Sequence, residues 1–269
     1  MKFENTEVFN FEGAFRGMRN PLNSWEKSDS CYALTSPECV DARLDEVVNS
    51  WCRKTIEDFD QKRENDDARA NMLFEETLVK MMNKGSWPTQ SNSLISHNFF
   101  IGPNDMDLAQ RLIKGGSEHS KFLRQIIVNV DIIANRGLWS EFDTYHFNTK
   151  NSCSTMHKLF DKKNPITLDM FSYEQEDEDF MKMIVGKLNC LRDEYFSSEV
   201  GASKNEVLAR AKKLLPEGYL QKRTVTTNYA ELRNMYFQRR FHRLRDWRVD
   251  FVNWINTLPW AEELIKYEG

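Results

Sequence analysis

The sequence predicts an α/β protein in which a curved, antiparallel-rich sheet carries helices over it. Three stretches predict this. Phe122 to Ala134 is almost continuously apolar and β-branched, with Ile126, Ile127, Val128, Val130, Ile132 and Ile133, and reads as a buried strand. Asp41 to Asn83 repeats apolar residues at three- and four-residue steps, the helical period. Thr224, Val225, Thr226 and Thr227 form a second β-prone run, set between two helical patterns.

Taken in order, residues 1–36 read as loops with short strands. Val8 to Phe15 alternates weakly, and Met18 to Ser30 is rich in turn residues, including Pro21, Asn23 and Ser28. Arg19 and Lys27 flank Trp25, a pairing that suits a phosphate or a ring, but the expected role of Trp25 is to anchor an N-terminal arm on the core. Asp41 is a good helix cap. Leu44, Val47, Val48, Trp51, Cys52, Thr55, Ile56 and Phe59 then face inward. The charged run Asp60 to Asp67 marks a bend or a solvated face. Met72, Leu73, Leu78, Val79, Met81 and Met82 supply a second apolar face, and Gly85 to Ser96 is a polar loop.

Asn104 to Lys114 is a short helix capped by Asn104 or Asp105 and ended by Gly115-Gly116. Ser117-Glu118-His119-Ser120 leads into the long strand, which Asn135-Arg136 closes. Gly137 to Phe147 is aromatic-rich and helical at its start. Leu159 to Ser172 is a loop. Glu174 to Asp179 opens the next helix, where carboxylates suit the positive end of the macrodipole.

Glu206 to Leu215 is helical, with Val207, Leu208, Ala211, Leu214 and Leu215 on one side. Pro216 lacks an N–H and stops it. Asn228 caps the following helix, with Glu231 three residues on, as in a capping box. Leu232, Met235 and Tyr236 form its buried face. Arg239 lies about three turns from the cap at 3.6 residues per turn. Arg240, Arg243, Arg245 and Arg248 line a terminal helix that ends near Leu258-Pro259, with Trp247, Phe251, Trp254 and Ile255 on its apolar side.

Composition bounds the function. The chain has 269 residues, 29% charged and 40% hydrophobic, with net charge -4, which suits a folded domain and argues against nucleic acid as a partner. Cys31, Cys39, Cys52, Cys153 and Cys190 form no C-x-x-C pair and read as reduced thiols of a cytoplasmic protein. His97, His119, His146, His157 and His242 make no zinc pattern, so no metal is expected. No apolar run follows Met1-Lys2-Phe3-Glu4-Asn5, and no segment reaches the length of a membrane span. Walker loops, G-x-G-x-x-G, G-x-S-x-G and H-E-x-x-H are all absent.

One spacing stands out. Leu215-Pro216 is followed by Asn228, Leu232, Asn234 and Arg239, with Arg210 and Lys212 just upstream. In order, spacing and helix position this resembles the C-terminal signature of flavin-dependent thymidylate synthases. Glu118-His119 before the long strand, and Asn151-Ser152-Cys153-Ser154 after it, resemble the same family. The family's Arg-His-Arg place reads Ser140-Glu141-Phe142 here, with Arg136 just upstream, and Ser152 replaces the usual Glu.

The resemblance implies methylation of dUMP to dTMP with methylenetetrahydrofolate, NADPH and FAD, in a homotetramer. It implies a catalytic Arg239 that stabilises anionic character at uracil N3. It places Arg136, Asn151, Ser152, Cys153, Ser154, Arg210, Lys212 and Arg239 on the nucleotide. It places Glu118, His119, Thr224 and Asn228 on the flavin. It also implies one domain over residues 1–269, with residues 38–95 as a helix-rich N-terminal insertion. The contrasting expectation is a non-catalytic nucleotide-binding or phage-type accessory protein that kept the fold and lost the flavin chemistry.

Overall fold

The computed structural model describes residues 1–36, 39–58, 67–85, 96–197 and 201–269. In chain order its elements are β1 (Lys2–Phe9), α1 (Phe11–Arg19), β2 (Cys31–Ser36), β3 (Cys39–Val40), α2 (Ala42–Asp58), α3 (Asp67–Gly85), β4 (Ser96–Phe100), α4 (Pro103–Lys114), β5 (Ile127–Asn135), α5 (Arg136–Phe142), β6 (Thr149–Ser152), α6 (Thr155–Lys158), α7 (Glu178–Ser197), α8 (Gly201–Leu214), β7 (Leu220–Asn228), α9 (Tyr229–Arg239) and α10 (Val252–Ile255). Phe59, the charged run as far as Asn65 and Asp66, and most of the expected 85–96 loop lie outside the described residues. The described residues form two compact units: Met1–Asn5 with Val130–Val225, and Thr6–Asn129 with Thr226–Gly269.

The larger sheet is ordered β1-β5-β7-β6. In the first unit α7 and α8 close a core of Leu188, Leu191, Val207, Leu208, Ala211 and Leu215, joined by Leu159, Phe160, Ile166 and Phe171 from the preceding loop. That loop carries a 3-10 turn at Leu168–Met170 and is held from α7. Asn189 of α7 accepts from the Ile166 N–H at 2.9 Å and donates to its carbonyl at 2.8 Å, and Arg192 donates to the carbonyls of Asp161 and Lys162. The expected helix stop at Leu215-Pro216 holds.

The second unit holds a smaller antiparallel sheet, β3-β2-β4, in which Cys31 faces Phe100 and Ala33 faces Asn98. Its α1 overturns the expected loop. Phe11, Ala14, Phe15 and Met18 follow helical spacing and are all buried. Gly13 and Gly17 look like helix breakers, but they make room for neighbours. A Cβ on Gly13 would lie 2.2 Å from Asn10 Oδ1, and one on Gly17 would lie 2.7 Å from Gln125 Oε1.

Three other expectations are corrected. The long apolar run does not form one strand buried on both faces. Lys121–Gln125 is a 3-10 turn, and β5 then alternates, burying Val128, Val130, Ile132 and Ala134 on one face. Neither Asn104 nor Asp105 caps α4 with its side chain. Asp29 accepts from both their peptide N–H groups, at 2.9 and 3.0 Å, and burial raises its carboxyl pKa. Asp105 is instead fully buried. It meets Arg19 Nε at 2.5 Å and accepts from the hydroxyls of Ser28 and Ser30 at 2.7 and 2.5 Å. Lastly, the terminal arginines do not line one helix. After α9 the chain turns, re-enters a wide π-helical turn at Asp246–Phe251, and passes into α10. Trp247, Phe251, Trp254 and Ile255 are nevertheless buried, as expected.

Candidate functional site

In the second unit the site grows from the start of α9. Asn228 is extended, at φ -147 and ψ 166, and its Oδ1 accepts from the Glu231 N–H at 3.0 Å. That satisfies one of the donors a helix start leaves unpaired. Leu232 and Met235 are fully buried and fix the helix rotation. Arg239, in the last turn, is half-buried. Its guanidinium carbon lies 4.7 Å over the ring of the fully buried Trp247, and its Nη1 lies 3.0 Å from His242 Nε2. A planar cation laid on an indole is pre-oriented, which cuts the entropy lost when it pairs with a ligand. Sequence pattern places Trp247 only on the apolar side of a helix. The contact of Arg239 with His242 has no counterpart among the sequence expectations, which place His242 only among histidines without a zinc pattern.

Glu118 and His119 lie exposed on the turn after α4. The His119 peptide N–H bonds to the Gly116 carbonyl at 3.1 Å. Lys121 pairs with Glu118 at 3.0 Å and, through that hydrogen bond, lowers the Glu118 pKa.

In the first unit, Arg136 begins α5 behind the Asn135 cap, whose Oδ1 accepts from the Leu138 N–H at 2.8 Å. Its Nη1 donates to the Leu215 carbonyl at 2.9 Å, tying α5 to the end of α8. Arg210, further back on α8, pairs with Glu194 of α7 at 2.8 Å, with both side chains about half exposed. Lys212 is half-buried on the same helix. Asn151, Ser152 and Cys153 are exposed, and Ser154 occupies the N-cap position of α6 without a side-chain cap bond. The Cys153 peptide N–H bonds to the Lys222 carbonyl at 3.2 Å, which seats this segment against β7. Thr224, exposed on β7, donates its hydroxyl to Asp131 at 2.6 Å. That bond, with a second from Asn5, holds the Asp131 pKa down at about 2.

The stretch Ser140-Glu141-Phe142 lies in α5. Phe142 is buried against Trp139 and Tyr145, so core packing occupies that place. Positive charge arrives nearby from residues that sequence reading missed. Arg223 on β7 lies 4.2 Å over Trp139, reaches both Asp143 oxygens at 3.1 and 3.2 Å, and bonds Gln221 Oε1 at 3.1 Å. Lys150 on β6 is 3.2 Å from the same Asp143. Two cations share one carboxylate, leaving an excess of positive charge beside Asn151–Ser154. The two-residue step from Gln221 to Arg223 placed them on one strand face. Asp143 and Lys150 carried no such signal.

Cys31, Cys52, Cys153 and Cys190 are free thiols, and burial pushes the Cys31 pKa up to about 11, away from nucleophilic use. Among the described residues no group of His, Cys, Asp or Glu is arranged to hold a metal ion. No described helix is long and apolar enough to cross a membrane.

No protein-family model matches the chain, and no curated protein matches it. Solved structures do. Thymidylate Synthase X (ThyX) from Helicobacter pylori, with FAD and dUMP, aligns over 100% of both chains at 16% identity with a TM-score of 0.55. The chain has the ThyX fold. A second structure of flavin dependent thymidylate synthase ThyX from the same organism, complexed with FAD and dUMP, aligns over 61% of this chain and 83% of its own at 21% identity, with a TM-score of 0.46. In the ThyX-like fold of this chain, the resembling residues fall in both compact units: Arg136, Asn151–Ser154, Arg210, Lys212 and Thr224 in the first, and Glu118, His119, Asn228 and Arg239 in the second.

Proposed function

We propose that this chain is a flavin-dependent pyrimidine-nucleotide methylating enzyme, converting dUMP to dTMP with methylenetetrahydrofolate and NADPH. The observation that carries the proposal is α9, capped by Asn228 and ending in an Arg239 laid over Trp247, in a chain whose whole length follows the ThyX fold. Arg239 presents a fixed fork of donors to a uracil ring. As negative charge develops on N3 and its neighbouring oxygens, a positioned cation there lowers the barrier. Arg136, Lys212 and Arg210, and in our reading Arg223 and Lys150 as well, supply cations for the nucleotide phosphate. Asn151, Ser152 and Cys153 offer the nucleotide exposed amide, hydroxyl and thiol groups, and Ser154 a half-buried hydroxyl.

The donor set also fits a flavin. Asn228 commits its Oδ1 to the helix cap, which leaves the amide protons to donate to a ring carbonyl. His119 and Glu118 are exposed, and Thr224 keeps its lone pairs while donating to Asp131. When bound, FAD supplies hydride transfer, with NADPH as the source. The proposed enzyme is a cytoplasmic homotetramer folded as one domain over residues 1–269, with α2 and α3 belonging to an insertion at residues 38–95.

A second function is favoured by one observation. Phe142 fills the place of the family's Arg-His-Arg and is buried, which suits a nucleotide-binding accessory protein without flavin chemistry. Product analysis separates the two. With dUMP, methylenetetrahydrofolate, NADPH and FAD, dTMP is expected to form in proportion to enzyme. Saturable dUMP binding without dTMP, at any flavin concentration, favours the accessory protein.

A further inference from the structure

Arg223 of β7 and Lys150 of β6 meet one and the same oxygen. Arg223 Nη1 lies 3.1 Å from Asp143 Oδ1, and Lys150 Nζ lies 3.2 Å from that atom. Each cation is seated on a buried ring. The Arg223 guanidinium is 4.2 Å from the Trp139 centroid, and the Lys150 ammonium is 5.3 Å from that of Phe142. Gln221 Oε1 accepts from Arg223 Nη2 at 3.1 Å and fixes the orientation of the fork. Both cationic side chains are 15% exposed, whereas that of Asp143 is 48% exposed. The carboxylate is thus the solvent-facing member of the group. It also stands at the C-cap of α5, the end of a helix where the dipole disfavours an anion. The helix gives no reason for a carboxylate there; the two cations do. Carboxylate and phosphate oxygens take the same donors, and a phosphate monoester carries roughly twice the charge of a carboxylate. Two cations facing one carboxylate are left with a positive charge that a phosphate would balance.

We infer that Arg223 and Lys150 form an oxyanion subsite for the nucleotide phosphate, and that Asp143 is its built-in competitor. A phosphate oxygen takes the Oδ1 position, and the Asp143 side chain turns out to solvent. The nucleotide rests on the function proposed above. The oxyanion subsite does not, since inorganic phosphate probes it directly. Self-competition has a consequence that a plain salt bridge lacks: removing the Asp143 charge strengthens anion binding. A carboxylate that only neutralised the two cations would, on removal, give a protein that melts earlier and binds phosphate no better.

Titration of the full chain followed by ³¹P NMR, with inorganic phosphate and separately with dUMP, reads both sources of the oxyanion. Asp143→Asn is expected to tighten both by roughly fivefold or more, because a like charge about 4 Å away is gone. Arg223→Gln and Lys150→Met are each expected to weaken both by roughly tenfold. Either one suffices if the other fails to fold. Asp193→Asn, which makes the same charge change beside Arg192 on α7, should change neither. Tightening in Asp143→Asn alone, with weakening in the cation variants, supports the subsite. Absent, unchanged or weaker phosphate binding in Asp143→Asn overturns it, as does equal tightening in Asp193→Asn or undiminished binding without Arg223 or Lys150. Tightening for inorganic phosphate but not for dUMP overturns the nucleotide assignment. The subsite stands if phosphate follows this pattern and no dTMP is ever formed. It falls alone if dTMP forms and dUMP affinity is indifferent to Asp143 and Arg223.

Discussion

Arg239→Ala and Arg239→Lys are expected to fold and to lose dUMP binding by about 10- to 100-fold, the worth of one hydrogen-bonded charged contact of about 1.5–3 kcal/mol. Lysine is no rescue, because it has neither the planar fork nor the shape to lie over Trp247. The stability cost is smaller. Arg239→Ala removes a partly exposed cation–π contact of about 0.5–1 kcal/mol. Arg240 is the internal control. It points roughly 100° away around the helix, pairs with Glu268 and lies 4.7 Å over Phe237. Arg240→Ala is therefore expected to lower the melting temperature slightly and leave dUMP affinity alone. Isothermal titration of the three variants, with melting curves beside it, checks both halves. Equal losses at Arg239 and Arg240 would leave Arg239 without a special role.

The largest stability effect is expected at Asp105. This carboxylate is fully buried, meets the Arg19 guanidinium at 2.5 Å and accepts from Ser28 and Ser30 hydroxyls. Asp105→Ala strands Arg19, only 4% exposed, without its counter-charge. Breaking a buried pair from one side costs about 3–5 kcal/mol. Removing both charges together, in Arg19→Met with Asp105→Leu, is expected to recover much of that loss, because the orphan charge is gone. Urea denaturation measures the cycle. If Arg19→Met with Asp105→Leu loses the sum of what the two substitutions lose singly, the pair is not coupled.

Periodic features were legible in the sequence, and contacts between distant segments were not. The cap at Asn228, the stop at Pro216 and the buried faces of α8 and α9, with the exposed Leu214 excepted, follow from short-range pattern, and the structure repeats them. α1 was hidden because Gly13 and Gly17 weaken helix propensity, and what they gain, close approach of Asn10 and Gln125, depends on tertiary contacts. Asp105 had the look of a cap. Its partner Arg19 is 86 residues away in sequence, so no local rule could connect them. Among the candidate site residues, spacing identified Arg239 but not Trp247 or His242 beneath and beside it. It also missed Arg223, Lys150 and Asp143, whose grouping depends on β6 and β7 lying side by side.

The most direct measurement is the absorbance of the purified protein after incubation with FAD and gel filtration. Flavin is expected to travel with the protein, with its visible bands shifted from those of free FAD and shifted again on adding dUMP. Asn228→Ala should retain less flavin. It should also melt earlier, since the lost cap alone costs about 1 kcal/mol. A colourless protein that emerges free of FAD, with and without dUMP, would contradict the proposed flavin chemistry.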